Sequence, residues 1–480
     1  RHEKMLLASC LATGLLVGID LGTTNSAIAL LRGGEPSLLP NARGEPLTPS
    51  TVAFTGDGTV LVGAAADLQA SQNVRNTVVA AKRFIGRTVR QCKAEIARAQ
   101  YTVVGDEEGA AVFRLPAVGD LSPEEAGACV LAELLGALDV PASEICRAVV
   151  TVPAYFDAPQ RQATLAAARL AGLGSVSLLA EPVAASLAYG LGGAVGKVLV
   201  LDLGAGTYDV SVLRLGDEGA VEVLATSGDP LLGGTDFDAA IVALLLAEGR
   251  RLALPAIDHD EAALRTLRER AEAAKRKLSV VKRVSVLFPS PQSPATGDRE
   301  GGGEGGEGTS IELTRDAMEA ACEPLLQRLK APLYEVALAA AVSLPGEAAP
   351  SSPAKKRTAK ARRAAEALLP SGKRTYLPRG EPLAEVVLVG GATQMAAVRK
   401  LVANLFGIDP RRTVAPMEAV ALGAAVHAGM LAGALPGHVM QAWQAELGRL
   451  MEGARAPATE GGGEEEEDLP FSFTDEGQAR

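Results

Sequence analysis

Asp20 is followed by Leu21-Gly22-Thr23-Thr24-Asn25, and Asp202 by Leu203-Gly204-Ala205-Gly206-Thr207. A carboxylate placed just before a glycine-containing turn suits a hydrated magnesium ion, while the turn's backbone N–H groups and hydroxyls suit phosphate oxygens. Glycine permits the close backbone approach that such a cradle needs. One copy alone reads equally well as an ordinary hairpin turn; two copies allow two loops to grip one polyphosphate. The pattern GxxxxGK[ST] is absent, since Gly193-Ala-Val-Gly196-Lys197-Val198 has the wrong spacing and ends in Val. No GxGxxG with a following acidic residue marks a dinucleotide fold. The four histidines stand at no ligand spacing, and Cys10, Cys92, Cys129, Cys146 and Cys322 form no CxxC. Neither a zinc site nor a disulfide framework is therefore expected, and the cysteines read as small buried apolar residues.

Elements must bring the two turns together, and the sequence around them repeats. Residues 15–30 match residues 197–212, each copy being an apolar strand, an Asp-Leu-Gly turn and an alternating strand. A separation of about 180 residues suggests a duplicated lobe, not a solenoid of short repeats. A third strand-to-turn junction lies at Glu385-Val-Val-Leu-Val-Gly390-Gly391-Ala392-Thr393, with a helical pattern over 395–405. Helices are also predicted over 122–138, 160–171, 182–189, 236–250 and 260–280. Strands alternating with helices imply a doubly wound α/β architecture. The 480 residues, 48% hydrophobic but only 3% aromatic, suffice for two or more lobes with cores of Ala, Val and Leu.

Several segments interrupt this regularity. Residues 290–310, with the run Gly301-Gly-Gly-Glu-Gly-Gly-Glu-Gly308, read as a flexible loop, and 345–380 as an insertion carrying the basic run 355–363. The basic run reads as a solvated face or disordered insert in preference to a nuclear address or anionic contact. Gly461-Gly-Gly-Glu-Glu-Glu-Glu-Asp468 belongs to an acidic disordered tail. Near the start, Met5 to Ile19 is uncharged, but its fifteen residues are short for a membrane span and run into the first strand. Only Met5 to Gly14 is left as a signal-like core, and Leu7-Ala-Ser-Cys10 resembles a lipoprotein box without enough apolar sequence before it. A net charge of −10 argues against a general nucleic-acid binder.

Six motifs in order then carry a resemblance: Gly18-Ile-Asp-Leu-Gly-Thr-Thr-Asn-Ser26, Ala81-Lys-Arg-Phe-Ile-Gly-Arg87, Val152-Pro-Ala-Tyr-Phe-Asp157, Glu181-Pro182 with Ala188-Tyr-Gly190, Asp202 to Thr207, and Val389-Gly390-Gly391. Over residues from about 16 to 431 the chain resembles the ATPase domain of the 70-kDa heat-shock (stress-70) family. The resemblance implies a two-lobed α/β fold of the kind shared with actin and sugar kinases, with duplicated RNase H-like cores closing over ATP or ADP. It implies a first lobe over 16–200, with a peripheral part at about 52–120. A second lobe would run over 201–431, with a peripheral part at about 239–313, between an apolar segment 1–15 and an extension 432–480.

By the same resemblance Asp20 and Asp202 hold Mg2+ through water, with K+ as a second cation. Gly22, Thr23, Thr24, Asn25, Gly204, Ala205, Gly206 and Thr207 meet the phosphates, Lys82 lies beside the γ-phosphate, and Glu181 orients the attacking water. Glu272, Lys275, Arg276 and Ser279, at i, i+3, i+4 and i+7 on one helix face, meet adenosine together with Gly233, Gly234, Gly390, Gly391, Ala392 and Gln394. The chain departs from the family at Ala205 (usually glycine), Val183 (threonine), Ala392 (serine), Gln394 (arginine) and Met417 (aspartate). A left-handed backbone at Ala205 would cost about 1–2 kcal/mol, so weakened nucleotide binding and slow hydrolysis are expected.

About fifty residues follow Met430, too few for the family's peptide-binding sandwich and lid, so an ATPase core without that module is expected. The layout is similar to a truncated microsomal form of the family, which makes a microsomal location the alternative to a cytoplasmic one. A J-domain co-chaperone and a nucleotide-exchange factor are the implied partners. A nucleotide-gated scaffold or exchange-factor-like regulator is the second reading, and a metabolite kinase the third.

Overall fold

The computed structural model of the chain describes residues 15–138, 140–190, 195–216, 220–289, 309–344, 380–411 and 414–435. The segment before Leu15, the glycine-rich loop at 290–308, the insertion at 345–379 and the acidic tail lie outside the described residues. Among the described residues no helix is long and apolar enough to cross a membrane.

Each Asp-Leu-Gly hairpin heads a sheet. In the first, β1 (Leu15–Asp20), β2 (Asn25–Arg32) and β3 (Glu35–Leu38) run antiparallel, while β4 (Ile145–Val152) and β5 (Val176–Ala180) add in parallel on the other side of β1, giving the order β5-β4-β1-β2-β3. In the second, β6 (Gly196–Leu203), β7 (Tyr208–Leu215) and β8 (Val221–Asp229) are antiparallel and β9 (Leu383–Val389) lies parallel to β6. Strand for strand, β6, β7, β8 and β9 repeat the relations of β1, β2, β3 and β4. The inner strands are apolar on both faces, as Val17 to Ile19 and Val198 to Leu201 show, because both faces of each sheet are covered.

The long helices are α1 (Pro123–Leu135), α2 (Ala158–Leu170), α3 (Glu181–Ala188), α4 (Gly234–Arg251), α5 (Glu261–Leu278), α6 (Arg315–Ala339), α7 (Ala396–Phe406) and α8 (Ala419–Leu431). Their starts follow local chemistry. Ser122 with Glu125, and Asp157 with Gln160, form capping boxes, each with a proline in the first turn. Between β9 and α7 the glycine turn expected from the sequence is a 3-10 turn, Gly391–Gln394, and the helix follows it at Ala396.

Helices α3 and α8 occupy the space between the sheets. Their Val183, Ala184, Ala421 and Ala424 share one core cluster with Leu16 and Val149 of the first sheet and Val198, Leu213 and Val387 of the second. Helix α8 is apolar nearly all round, His427 being its one polar side chain, as suits a helix enclosed on most sides. It crosses α3 so closely that a Cβ on Gly423 would stand 1.7 Å from the Ala184 carbonyl oxygen. Cys92 and Cys322 are buried free thiols and Cys129 is free and half-buried, whereas Cys146 is disulfide-bonded, so the reading of all five cysteines as apolar filler does not hold there.

Gly423→Val is expected to destabilise the fold by about 3 kcal/mol or more through overpacking. Gly56→Ala, where an added Cβ meets nothing within 4 Å, should stay within about 0.5 kcal/mol of the parent. Chemical denaturation of both checks this; equal midpoints would show that the crossing is not tight.

Candidate functional site

Both hairpin turns open into one cleft between the sheets, with about 780 Å³ of space including its mouth. Asp20 ends β1 and Asp202 lies on β6 one residue before its end. The first turn is held from behind: Gly22 N–H donates to Ser26 Oγ at 3.1 Å, Ser50 Oγ donates to the Gly22 carbonyl at 2.9 Å, and the two serine hydroxyls pair at 2.9 Å. The second turn closes with Gly204 N–H on the Thr207 carbonyl at 3.0 Å. Gly233 and Gly234 then pack behind it, where the N–H groups of Gly234 and Thr235 donate to the carbonyls of Gly204 and Ala205 at 2.9 and 2.8 Å.

Lys82 is presented by a short 3-10 turn, Ala81–Arg83, entered through Ala80 at φ 55°. A left-handed alanine is strained and persists because its surroundings fix it. Here the mutually T-shaped rings of Phe84, Tyr101 and Phe113, 5.2 to 6.4 Å apart, anchor the segment. Lys82 Nζ lies 2.5 Å from Glu181 Oε1, and both side chains are largely buried. Next to it, Arg83 Nη2 donates to the Gly206 carbonyl at 2.6 Å, tying the Lys82 segment to the second turn.

The cleft carries more negative than positive charge. Asp20, Glu181, Asp202 and Asp209 line it beside the single ammonium of Lys82. Burial, reinforced by Glu181, raises Asp20 to about 6 despite the attraction of Lys82 and a hydrogen bond from Thr151. Burial also raises Asp209 to about 7, again with Glu181. Asp202 is pushed well above the carboxylate range by burial and by Glu181, Asp209 and Asp20. For Lys82, burial opposes the charge, but Glu181, Asp20 and Asp202 outweigh it and hold the ammonium above its usual range. Oxygen-rich and short of positive charge, this donor set fits a hard cation. Among the described residues no three His, Cys, Asp or Glu side chains converge as direct ligands, so such an ion would be held through water and ligand oxygens.

Of the residues expected from sequence, Asp20, Gly22, Thr23, Thr24, Asn25, Lys82, Glu181, Asp202, Gly204, Ala205, Gly206, Thr207, Gly390 and Gly391 line this cleft. The helical face at 272–279 is split. Lys275 is buried, paired with Asp238 at 2.8 Å and donating to the Gly234 carbonyl at 3.0 Å, and Ser279 donates to the Lys275 carbonyl at 3.2 Å. Glu272 and Arg276 are exposed, Ala392 is buried, and Gln394 is exposed away from the cleft lining. Ala205 is not among the residues of positive φ, so the feared left-handed strain does not arise.

Gly390 is at φ 81°, where a Cβ would stand 2.4 Å from the Leu203 carbonyl oxygen; only glycine lets β9 end against the Asp202 hairpin. Sequence reasoning missed Asp209, Tyr155, Leu47 and Pro416, all in the lining. Asp209 could have been found, since it follows Asp202 by seven residues and faces it across the β6–β7 hairpin, where the first hairpin has Ala27 opposite Asp20. Leu47 has no local signal.

The carboxylates and a buried histidine give opposite pH dependences. Asp20 and Asp209 have folded values of about 6 and 7 against an ordinary 3.8. Their contribution is complete below about pH 4 and lost as pH rises through 6 to 7. Burial lowers His427 from 6.5 to about 4, so its contribution is present above 6.5 and lost as pH falls through 4. Asp209→Asn should therefore stabilise the ligand-free protein at pH 8 by on the order of 2 kcal/mol and leave it nearly unchanged at pH 4. Urea midpoints across this range decide it; parallel curves for parent and variant would refute the assignment.

Comparison with known proteins accords with this geometry. The Hsp70 protein family profile matches residues 16–346 and 376–441. The chain is 40% identical over 421 residues to the stromal 70 kDa heat shock-related protein of Pisum sativum chloroplasts, covering 87% of this chain and 53% of that protein. It is 40% identical over 423 residues to the chaperone protein dnaK of Phaeodactylum tricornutum, covering 88% and 62%. It is 42% identical over 425 residues to the chaperone protein dnaK1 of a Nostoc species, covering 88% and 55%. The chain thus spans roughly half to three-fifths of these relatives, and their chloroplast and dnaK-type names lend no support to a microsomal location. Matched over most of its length in sequence and carrying the paired aspartate hairpins on repeated sheets, the chain belongs to the Hsp70 family of chaperone ATPases.

Proposed function

We propose that this chain is an ATP-binding, slowly hydrolysing chaperone core acting in protein folding or quality control, in a cytoplasm-type or organellar compartment. The observation that carries the reading is the convergence of Asp20, Lys82, Glu181 and Asp202 with both glycine turns on one cleft. The backbone of the two turns and the hydroxyls of Thr23, Thr24 and Thr207 cradle phosphates. Asp20 and Asp202 hold a hydrated Mg2+, which neutralises phosphate charge when bound, and Asp209 suits a second cation such as K+. The lobe division at about residue 200 and the roles of the 272–279 face belong to the same reading.

Lys82 supports slow turnover. It is already paired with Glu181 at 2.5 Å, so it must leave that carboxylate to reach a phosphate oxygen. Once released, Glu181 can accept a hydrogen bond from the attacking water. Phosphoryl transfer depends mainly on such positioned charge. A J-domain protein and an exchange factor are the partners this reading implies, and the tied Lys82–Glu181 pair also favours a second reading, a nucleotide-gated scaffold that turns over little ATP until a partner separates the pair.

Lys82→Ala is expected to bind Mg-ADP within about threefold of the parent and to lose about a hundredfold in single-turnover ATP hydrolysis. Calorimetry and quenched-flow on the same preparation check both. Unchanged single-turnover hydrolysis would overturn the role of Lys82, and hydrolysis undetectable with and without a J-domain protein would favour the scaffold.

A further inference from the structure

Three successive carbonyls of the second turn are held from outside it. Gly234 N–H donates to the Gly204 carbonyl at 2.9 Å, and Thr235 reaches the Ala205 carbonyl with its N–H at 2.8 Å and its hydroxyl at 2.9 Å. The Gly206 carbonyl is taken by Arg83 Nη2 at 2.6 Å. The N–H groups of Ala205, Gly206 and Thr207, in contrast, donate to no protein group among the described residues. A trans peptide is planar, so each N–H points opposite to the carbonyl before it. Holding the three carbonyls therefore fixes the directions of three consecutive N–H groups, and successive N–H groups in a turn can form a nest for an anion.

The three anchors differ in origin. Those on Gly204 and Ala205 come from the start of α4, close by in the chain. The one on Gly206 spans 123 residues, from the 3-10 turn that presents Lys82. Arg83 has no ion pair among the described residues. Of the carboxylates that attract it, Glu95 is taken by Arg87 at 2.8 Å and Asp236 accepts from Gly233 N–H at 2.8 Å. Its Nε is buried without a partner, which leaves the Gly206 carbonyl as the acceptor that its charge is directed to. The approach depends on a bare backbone, since a Cβ on Gly206 would stand 2.4 Å from Nη2. Arg83 itself is not part of the cleft lining, so it acts through the turn and not on a ligand. We propose, resting on the nucleotide reading above, that Arg83 is a positioning residue of this site. By holding the Gly206 carbonyl it fixes the Thr207 N–H for a phosphate oxygen, and it does so only while the Lys82 segment is seated against the second turn. Because Arg83 adjoins Lys82, the ammonium and the third N–H of the turn come into place together, and whatever parts the segment from the turn withdraws both.

Amide hydrogen exchange across the second turn, read by mass spectrometry on the whole chain, tests this together with calorimetry and single-turnover ATP hydrolysis. In the Mg-ADP complex, Arg83→Ala should exchange the amides of residues 205–207 about tenfold faster than the parent, the scale of one lost charge-assisted hydrogen bond. Lys82→Ala should leave those amides at the parent rate. Hydrolysis by Arg83→Ala should fall about tenfold or more, as expected when a group near the chemistry is misplaced. Its Mg-ADP affinity should stay within about threefold of the parent, because the Gly204 and Ala205 carbonyls remain held. Arg83→Lys, which still brings a cation to the carbonyl, should recover most of both losses. Should Arg83→Ala fail to fold, Arg83→Gln, uncharged and nearer in size, carries the same comparison. Unaltered exchange without the guanidinium would overturn the proposal, as would equal acceleration in Lys82→Ala or an Arg83→Lys variant no better than Arg83→Ala. A parent that does not bind Mg-ADP would overturn the nucleotide reading itself, whereas a parent that binds it beside unaltered variant exchange would overturn only the role of Arg83.

Discussion

Two helices packed backbone to backbone hold this molecule together. Where Gly423 of α8 meets the Ala184 carbonyl of α3 there is no room for a side chain, and the small residues around that point let two sheets approach the same helix pair. Small residues here are a packing requirement, since interiors are close-packed and cannot absorb an extra carbon without displacement. The position of the site follows directly. Glu181 is the first residue of α3, so the crossing that joins the sheets also fixes a carboxylate between their two hairpin turns.

The cleft so formed carries an excess of negative charge. Four carboxylates surround Lys82, and burial holds three of them, Asp20, Asp202 and Asp209, above their ordinary range. Partly protonated carboxylates are how a protein limits the cost of crowding like charges away from water. The Lys82–Glu181 pair is the one strong local neutralisation, and the Arg83 bond to Gly206 adds a mechanical tie between the Lys82 segment and the second turn. A ligand that brings both cation and phosphate would relieve the carboxylates and compete with Glu181 for Lys82.

The same cleft is chemically two-sided. Around the hairpin turns most lining side chains are charged or polar, Leu47, Pro153 and Ala205 excepted, while the wall after β9 is glycine, proline, valine and methionine. Charge and backbone amides are what one side offers a ligand, and apolar surface is what the other offers. The departures from the family pattern at Ala392, Gln394 and Met417 all fall on or near the apolar side, and Asp20, Lys82, Glu181 and Asp202 are not among them.

The duplicated Asp-Leu-Gly hairpins, the helix starts at Ser122 and Asp157, and the strand ending at Gly390 were legible in the sequence by itself. Their signals are local: alternation along a strand, a capping side chain, a turn that needs glycine. Sequence also named the charged pair Lys82 and Glu181, because their motifs are compact, although nothing in a separation of 99 residues announces a 2.5 Å contact. Only the tertiary structure decided which residues share an environment. It placed Asp209 beside Asp202, withdrew Lys275 into an ion pair, relaxed Ala205 and set Met417 against Gly391. Those outcomes depend on the register of β6 with β7 and on how β9 meets the segment at Pro416. Burial and charge coupling are properties of assembled neighbours, which no stretch of chain carries alone.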